Sequence, residues 1–270
     1  MVRALAGGAV GRPPGRGSCF LAYNRGYWIP VPAAEVTDRL AAKEGDRVDL
    51  LERDPELARA MAPAMRPGNG RGAPLSAAVL RLERGSWEPD AREPSVDHLG
   101  FLVLDGLVGR RVLVPERGRS LELLGRGDLF RPWQDDSASF ARQSWTVLEP
   151  SAIAVLDQSL AARAREVPQL LEALTDRALR RSRRLAVSAA IANTVGVEER
   201  LLLSLWQLTE LWGRKAPGGA VLPFRLSHQT LADLVGARRP TVTLALRNLG
   251  QRELLRRGES GEWILAGAPP

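Results

Sequence analysis

Residues 226–255 read LSHQTLADLVGARRPTVTLALRNLGQRELL, and the spacing of their apolar residues is the strongest structural signal in the chain. Leu231, Leu234 and Val235 recur at the spacing of one helix face, and Ser227 is a residue type that caps helix N-termini. Gly236 follows where a turn needs a left-handed backbone. The stretch therefore predicts a short helix, a tight turn and a second helix.

The second helix has an apolar side and a basic side. Its apolar side comprises Val242, Ala245, Leu246 and Leu249, and Pro240 is tolerated in its first turn. Arginine on an exposed helix can pair with guanine in the major groove, and hydroxyls or backbone amides can hold phosphates. The candidate DNA-binding residues are Arg238, Arg239, Thr241, Thr243 and Arg247, with His228 and Gln229 at the start of the first helix.

A hairpin is predicted directly after the second helix. LLRR, the turn GESG and EWIL have the pattern of two short strands, a wing beside the helix pair. A basic solvated helix pair within some other fold is the alternative. The combination of turn glycine, apolar spacing, basic side and hairpin favours binding to double-stranded DNA.

This segment resembles the winged helix-turn-helix of the Crp–Fnr family of bacterial transcription regulators. GARRPTVTLALRNL stands where that family has its recognition helix. The resemblance implies that Arg239 reads a base, and that the chain forms a homodimer and contacts RNA polymerase. Pro240 and Leu244 stand where well-known members carry Glu and Arg, so their operator preference is not transferable.

Composition sets outer limits on function. The 270 residues suffice for two domains, and the net charge of +7 favours a polyanionic partner. The single Cys19 excludes an intrachain disulfide and any all-cysteine metal site. No apolar run reaches membrane-spanning length, no metal site is indicated, and cytoplasm is the default location.

The fold class predicted for the whole chain is α+β. Residues 1–45 lack a clear period and predict a flexible extension. Short Val- and Leu-rich runs over residues 46–165, with an Asp105-Gly106 turn, predict an antiparallel β-roll of jelly-roll type, which the resemblance identifies as cyclic-nucleotide-binding-like. A dimerisation helix and hinge occupy residues 166–195, and a winged helix-turn-helix occupies residues 196–270.

The effector pocket departs from the family pattern. GDLF at residues 127–130 matches the turn before the family's phosphate-binding cassette, but RPWQ follows instead of Gly-Glu. Arg142 is about one position out of register with the family's phosphate-binding arginine. These losses argue against a cyclic nucleotide, and the sequence identifies no cofactor. The pocket candidates are Phe130, Arg131, Trp133, Arg142 and Trp145, although core or surface packing is the favoured role for the two tryptophans.

The helix predicted over residues 168–192 carries a seam for a partner helix. Its members recur at spacings of three, four or seven: Leu171, Leu174, Ala178, Leu185 and Ala189. The arginines clustered at residues 177–184 are interpreted as a solvated face. Packing of the helix on its own β-roll is the alternative to dimerisation.

Two other classes of function stay open. One is a ligand-independent repressor or architectural protein whose β-roll only supports dimerisation. The other is an enzyme, and we predict that the chain is not one. It has two distant histidines, no phosphate-binding glycine loop and no recognisable nucleophile. A polar loop explains the adjacent carboxylates of Asp135 and Asp136.

Overall fold

The structure is a computed structural model that describes residues 20–23, 27–30, 46–62, 75–89, 98–116, 118–132 and 140–269, the first two ranges by their backbone alone. The chain divides into two units, Met1–Glu44 and Gly45–Pro270. In the first unit, β1 (Phe20–Tyr23) and β2 (Tyr27–Pro30) form an antiparallel hairpin. The sequence predicted no regular element there.

The second unit begins with an antiparallel roll. Its strands are β3 (Arg47–Asp49), β4 (Ser76–Leu82), β5 (Gly85–Trp87), β6 (Gly100–Val114), β7 (Gly118–Gly125), β8 (Leu129–Phe130) and β9 (Arg142–Leu156). They lie in the order β3-β4-β9-β6-β7, while β5 pairs with β9 and β8 pairs with β6. Every pairing is antiparallel, and the predicted α+β class with a β-roll is confirmed.

The predicted turn at Asp105-Gly106 is wrong. β6 runs straight through this dipeptide, and its register with β9 shifts there. Gly106 has a φ of 89°, and a Cβ on it would lie 2.3 Å from the carbonyl oxygen of Pro150. Asp-Gly signals a positive φ, which a bulge requires as much as a hairpin turn does.

Within the described residues, four helices flank the roll. They are α1 (Leu50–Arg53), α2 (Pro55–Met61), α3 (Gln158–Glu166) and α4 (Pro168–Ala192). Asp54 caps α2 by accepting from the backbone N–H groups of Glu56 and Leu57. The break predicted at Pro55 and the long helix over residues 168–192 are confirmed. The sequence did not predict α3, which Asp157 caps in the same way.

The C-terminal part is a winged helix-turn-helix. Its elements are α5 (Val197–Trp212), β10 (Arg214–Ala216), β11 (Gly219–Leu222), α6 (His228–Leu234), α7 (Arg239–Gln251), β12 (Leu255–Arg257) and β13 (Trp263–Ala266). The strands form one antiparallel sheet in the order β10-β11-β13-β12. The helix pair and the hairpin are therefore confirmed.

One hydrophobic core joins this part to the roll. Leu107, Leu121 and Leu123 of β6 and β7 belong to the same buried cluster as Leu231 and Val242 of the helix pair. A second cluster lies between the roll and α1–α4, and a third is aromatic. The β6–β7 hairpin is thus the surface against which the helix-turn-helix packs.

Candidate nucleic-acid interface

The turn between α6 and α7 brings the two helices close together. Ser227 Oγ accepts from the Thr230 backbone N–H at 3.0 Å and caps α6. Gly236 has a φ of 62°, and the N–H of Ala237 donates to the carbonyl of Ala232 at 2.9 Å. Ala232 is fully buried and belongs to the same apolar cluster as Val242 and Ala245 of α7. The helix cap at Ser227 and the turn at Gly236 that the sequence predicts are therefore confirmed.

One side of α7 packs against its own domain and the other faces outward. Val242, Ala245 and Leu249 are buried. We use the term recognition face for the exposed side, which contains all five predicted residues of this helix: Arg238, Arg239, Thr241, Thr243 and Arg247. Among the described residues, none of its three arginines forms an ion pair with a carboxylate, so their charge is directed to solvent.

The two predicted DNA-binding residues on α6 both contact other side chains of the protein. His228 Nδ1 lies 3.0 Å from Thr243 Oγ1, and Gln229 Nε2 donates to Asp233 Oδ1 at 2.8 Å. Partial burial lowers the pKa of His228, and the positive charges of Arg257 and Arg239 lower it further. His228 therefore lies beside the recognition face as a neutral ring near pH 7.

The wing adds two arginines that were not among the predicted site residues. Arg256 and Arg257 are exposed on β12, and the Arg257 guanidinium lies 5.4 Å from the ring centroid of Trp263. This cation–π contact holds one basic group on the same side of the domain as His228. The pair RR in LLRR, placed in the predicted wing, is the signal that would have identified them.

A buried aspartate anchors the helix pair to the roll. Asp233 on α6 accepts from Arg111 Nε of β6 at 3.0 Å and from Arg119 Nε of β7 at 2.8 Å. Its side chain is 2% exposed, so two positive charges are gathered around one desolvated carboxylate. We call this group the Asp233 clamp. It fixes the position of α6 relative to the β6–β7 hairpin.

The interpretation of the α4 arginines as a solvated face is wrong for three of them. Arg177 forms a two-bond contact with Asp54 at 2.8 and 2.9 Å, and its side chain is 2% exposed. Arg181 binds Glu122 through two bonds of 2.6 and 2.9 Å. Arg184 pairs with Asp128 at 2.9 Å. These arginines attach α4 to the roll instead of facing water.

The pKa values of two of these buried carboxylates shift in opposite directions. Burial alone raises the pKa of Glu122, but the hydrogen bond and charge of Arg181, with the charges of Arg110 and Arg184, outweigh it and lower the pKa overall. For Asp128, burial dominates and raises the pKa, although Arg184 opposes the change.

A cleft of about 390 Å³ lies between the roll and α4. Of the predicted pocket residues, Phe130 and Arg131 border it, and Arg131 Nε donates to the Leu99 carbonyl at 2.9 Å. Arg110 and Arg181 also border it, and the sequence did not identify either one.

The other predicted pocket residues lie elsewhere. Trp145 is buried in the aromatic cluster, with its ring centroid 5.2 Å from that of Phe130. Arg142 is exposed at the start of β9, paired with Leu113, and does not border the cleft. Trp133 lies outside the described residues. Trp145 therefore packs in the core, as the alternative to a pocket role predicted.

The predicted seam of α4 is exposed at four of its five positions. Leu171, Ala178, Leu185 and Ala189 are open to solvent in the single chain. Leu174 is 4% exposed and packs in the cluster between α4 and the roll. The side chain of Leu174 therefore packs into the chain's own core and is not part of the exposed seam.

Within the described residues, no group of three or more His, Cys, Asp or Glu is arranged to hold a metal ion. Across the same part of the chain, no helix combines the length and apolar character needed to span a bilayer.

Comparison with known proteins agrees with this architecture. Residues 199–266 match the Crp-like helix-turn-helix domain, and no curated protein matches the chain. A cyclic nucleotide-binding domain containing protein from Listeria monocytogenes EGD-e is similar in structure, with a TM-score of 0.58 and 15% identity over 77% of this chain and 97% of the other.

Two further solved structures have the same fold. FixK2 from Bradyrhizobium japonicum has a TM-score of 0.54 and 17% identity, over 70% of this chain and 92% of its own. A CRP family transcriptional regulator from Thermus thermophilus has a TM-score of 0.52 and 19% identity, over 69% of this chain and 91% of its own. At these identities the similarity establishes the fold.

Proposed function

We propose that this DNA-binding transcription regulator, which combines the Crp–Fnr fold with a Crp-like helix-turn-helix domain, acts as a homodimer on a roughly palindromic operator. The observation that supports the proposal most strongly is the recognition face. Its arginines are exposed and have no carboxylate partner among the described residues, while the opposite side of α7 is locked in the core. Such a helix can enter the major groove while the rest of the domain stays folded.

Arg239 is the proposed base-reading residue. It is the first residue of α7 and is exposed, at the helix end that docks deepest in helix-turn-helix complexes. A guanidinium there can donate two hydrogen bonds to guanine O6 and N7, worth about 1–3 kcal/mol of discrimination. Arg238, Thr241 and Arg247 are proposed to contact phosphates or flanking bases.

Dimerisation is proposed to occur through the exposed seam of α4. Leu171, Ala178 and Leu185 are spaced by seven residues and lie on one exposed side, and Ala189 extends that side toward the C-terminus of the helix. Small residues at two of these positions permit close approach of a second helix. A twofold dimer would place two recognition faces about 34 Å apart, in successive major grooves.

Variants can test the seam. Ala178→Arg introduces a charge at its centre, and we expect the dimer to dissociate at concentrations where the wild type sediments as a dimer. Ala162→Arg is the matched control, because Ala162 is an exposed helical alanine on α3, away from the seam. If both variants sediment like the wild type, the seam is not the interface.

The cleft between the roll and α4 is the proposed effector site, and the proposed ligand is not a cyclic nucleotide. Two of the arginines that border the cleft, Arg110 and Arg181, are committed to Glu122, and Arg131 binds a carbonyl. A cyclic phosphate would have to displace one of these partners. Since α4 and the Asp233 clamp both attach to the roll, a ligand in the cleft could bias the position of the helix pair.

Ligand-independent DNA binding is the second candidate for this part of the function. Its support is the same set of ion pairs, which hold α4 and α6 on the roll without a ligand. Thermal shift against a library of small acids and aromatics separates the two. A compound that raises the melting temperature and changes operator affinity supports a sensor.

The central experiment is selection of bound sequences from a random DNA pool by the full-length protein. We expect an enriched site with two inverted half-sites, each with a guanine that Arg239 reads. Enrichment of no sequence would refute the proposal that the recognition face reads bases. RNA polymerase contact, implied by the resemblance, can be tested on the same operator.

A further inference from the structure

An apolar side chain lies in the middle of the basic recognition face. Leu244 is 58% exposed, although it belongs to a helix whose other large apolar residues turn inward. Val242 and Leu249 are fully buried, and Leu246 is partly buried. An isolated exposed leucine is common on protein surfaces. Leu244 differs from such a residue because it lies among the side chains that are proposed to contact DNA.

Helix geometry places Leu244 on the outward side. With about 3.6 residues per turn, Val242, Ala245 and Leu249 define the buried direction of α7. Leu244 lies one turn after the exposed Pro240 and one turn before the exposed Arg247. The side chains of Pro240 and Leu244 therefore form an apolar strip directly beside the basic groups.

Only one base offers an apolar feature in the major groove. The thymine edge carries a hydrophobic C5 methyl group beside its O4 acceptor, whereas the edges of adenine, guanine and cytosine carry donors and acceptors but no methyl group. A leucine has no polar atom that could satisfy those donors and acceptors, and burying them against it would be unfavourable. Apolar contact with a thymine methyl is the interaction that stabilises an exposed leucine in this groove.

We propose that Leu244 is a specificity-determining residue that selects a thymine in each half-site by contact with its C5 methyl group. This inference rests on the proposed function of α7 as the helix that enters the major groove. It adds a second element to the operator, a thymine near the guanine that Arg239 reads. Pro240 extends the same apolar strip toward the start of the helix.

Leu244 also borders a groove of about 600 Å³ between α5 and α7. The walls of this groove include the apolar side chains of Val195, Leu202 and Leu203. A protein partner seated there would be a different use for the same leucine. The thymine assignment is favoured because Arg247, one turn away, directs a free positive charge to the same side.

The test uses the full-length protein and the operator recovered from the random pool. Each thymine of a half-site is replaced in turn by uracil, which removes the methyl group and leaves the base pairing unchanged. We expect one position at which uracil weakens wild-type binding by about fourfold per half-site, the factor that corresponds to burial of one methyl group. Leu244→Ala should bind the thymine and uracil operators equally at that position.

Leu211→Ala is the matched control, because Leu211 is another exposed leucine of the same domain, on α5. It should keep the full thymine preference. A Leu244→Ala variant that still distinguishes thymine from uracil would overturn the proposal, as would uracil substitution that has no effect at any position. Weaker binding of Leu244→Ala to a protein partner, with thymine preference intact, would assign Leu244 to the groove instead. Failure to select any operator would instead refute the function on which the inference rests.

Discussion

The long helix α4 and the recognition helix α7 each carry several arginines, and the two helices use them in opposite ways. On α4, Arg177, Arg181 and Arg184 are turned inward and paired with carboxylates of the roll and α2. On α7, Arg238, Arg239 and Arg247 are exposed, and none forms an ion pair with a carboxylate within the described residues. The same residue type is structural in one helix and available for DNA in the other.

The difference arises from what the neighbouring elements supply. α4 lies against strands and turns that present Glu122, Asp128 and Asp54, so its guanidinium groups have buried partners. The buried side of α7 is apolar, and the acids near the helix already have partners. Asp233 is held by Arg111 and Arg119, and Glu198 is bound by Asn248 and Arg252. Clustering of arginine therefore indicates a nucleic-acid surface only where the local carboxylates are occupied or absent.

The largest effect that separates the two helices is expected in stability. Arg177→Ala leaves the Asp54 carboxylate buried without its cation, which should cost about 3–5 kcal/mol of unfolding free energy. Arg238→Ala removes an exposed unpaired group and should stay within about 0.5 kcal/mol of the wild type. Urea unfolding at one fixed protein concentration measures both. An equal loss of unfolding free energy in the two variants would contradict the view that the α4 arginines are structural and the α7 arginines are not.

A smaller effect is expected in the salt dependence of DNA binding. If Arg238 contacts a phosphate, Arg238→Ala should weaken binding to every sequence similarly. The slope of log K against log salt should fall by about 0.9 for each half-site. Fluorescence anisotropy at several salt concentrations gives this slope. An unchanged slope would mean that Arg238 faces solvent in the complex.

The smallest effect is expected from His228. Its pKa is lowered in the free protein by burial and by Arg257 and Arg239, so the ring is neutral near pH 7. Nearby DNA phosphates would raise the pKa of His228, and the complex would then take up protons. Affinity should therefore rise as the pH falls from about 8 to about 6, by less than about tenfold.

His228→Gln provides the comparison for that pH profile. The variant keeps a polar side chain but loses the titration, so its affinity should vary less over the same range. A profile identical to that of the wild type would show that another group is responsible.

Local signals in the sequence were sufficient for the helix-turn-helix. The cap at Ser227, the positive φ at Gly236 and the apolar spacing of α6 and α7 each act within a few residues. The arginine partners could not be predicted in the same way. Arg177 and its partner Asp54 are 123 residues apart, and Arg111 meets Asp233 across 122 residues. Such pairs depend on tertiary packing that no local pattern encodes.

The cleft between the roll and α4 shows the same limit of prediction from sequence. Resemblance identified Phe130 and Arg131 at its edge through the GDLF turn, but Arg110 and Arg181 reach it from a strand and a distant helix. The bulge at Gly106 was mistaken for a turn because both need the same backbone geometry. Prediction from sequence was therefore accurate for the helix pair and the hairpin and incomplete for the parts assembled from distant segments.

The most direct test of base reading by α7 compares wild type and Arg239→Ala on the selected operator and on operators that carry single base-pair changes. We predict that the variant loses preference at one guanine position of each half-site, by about 1–3 kcal/mol, while background binding to unrelated DNA is preserved. Equal weakening on every sequence, or an unchanged preference at every position, would contradict the assignment of Arg239.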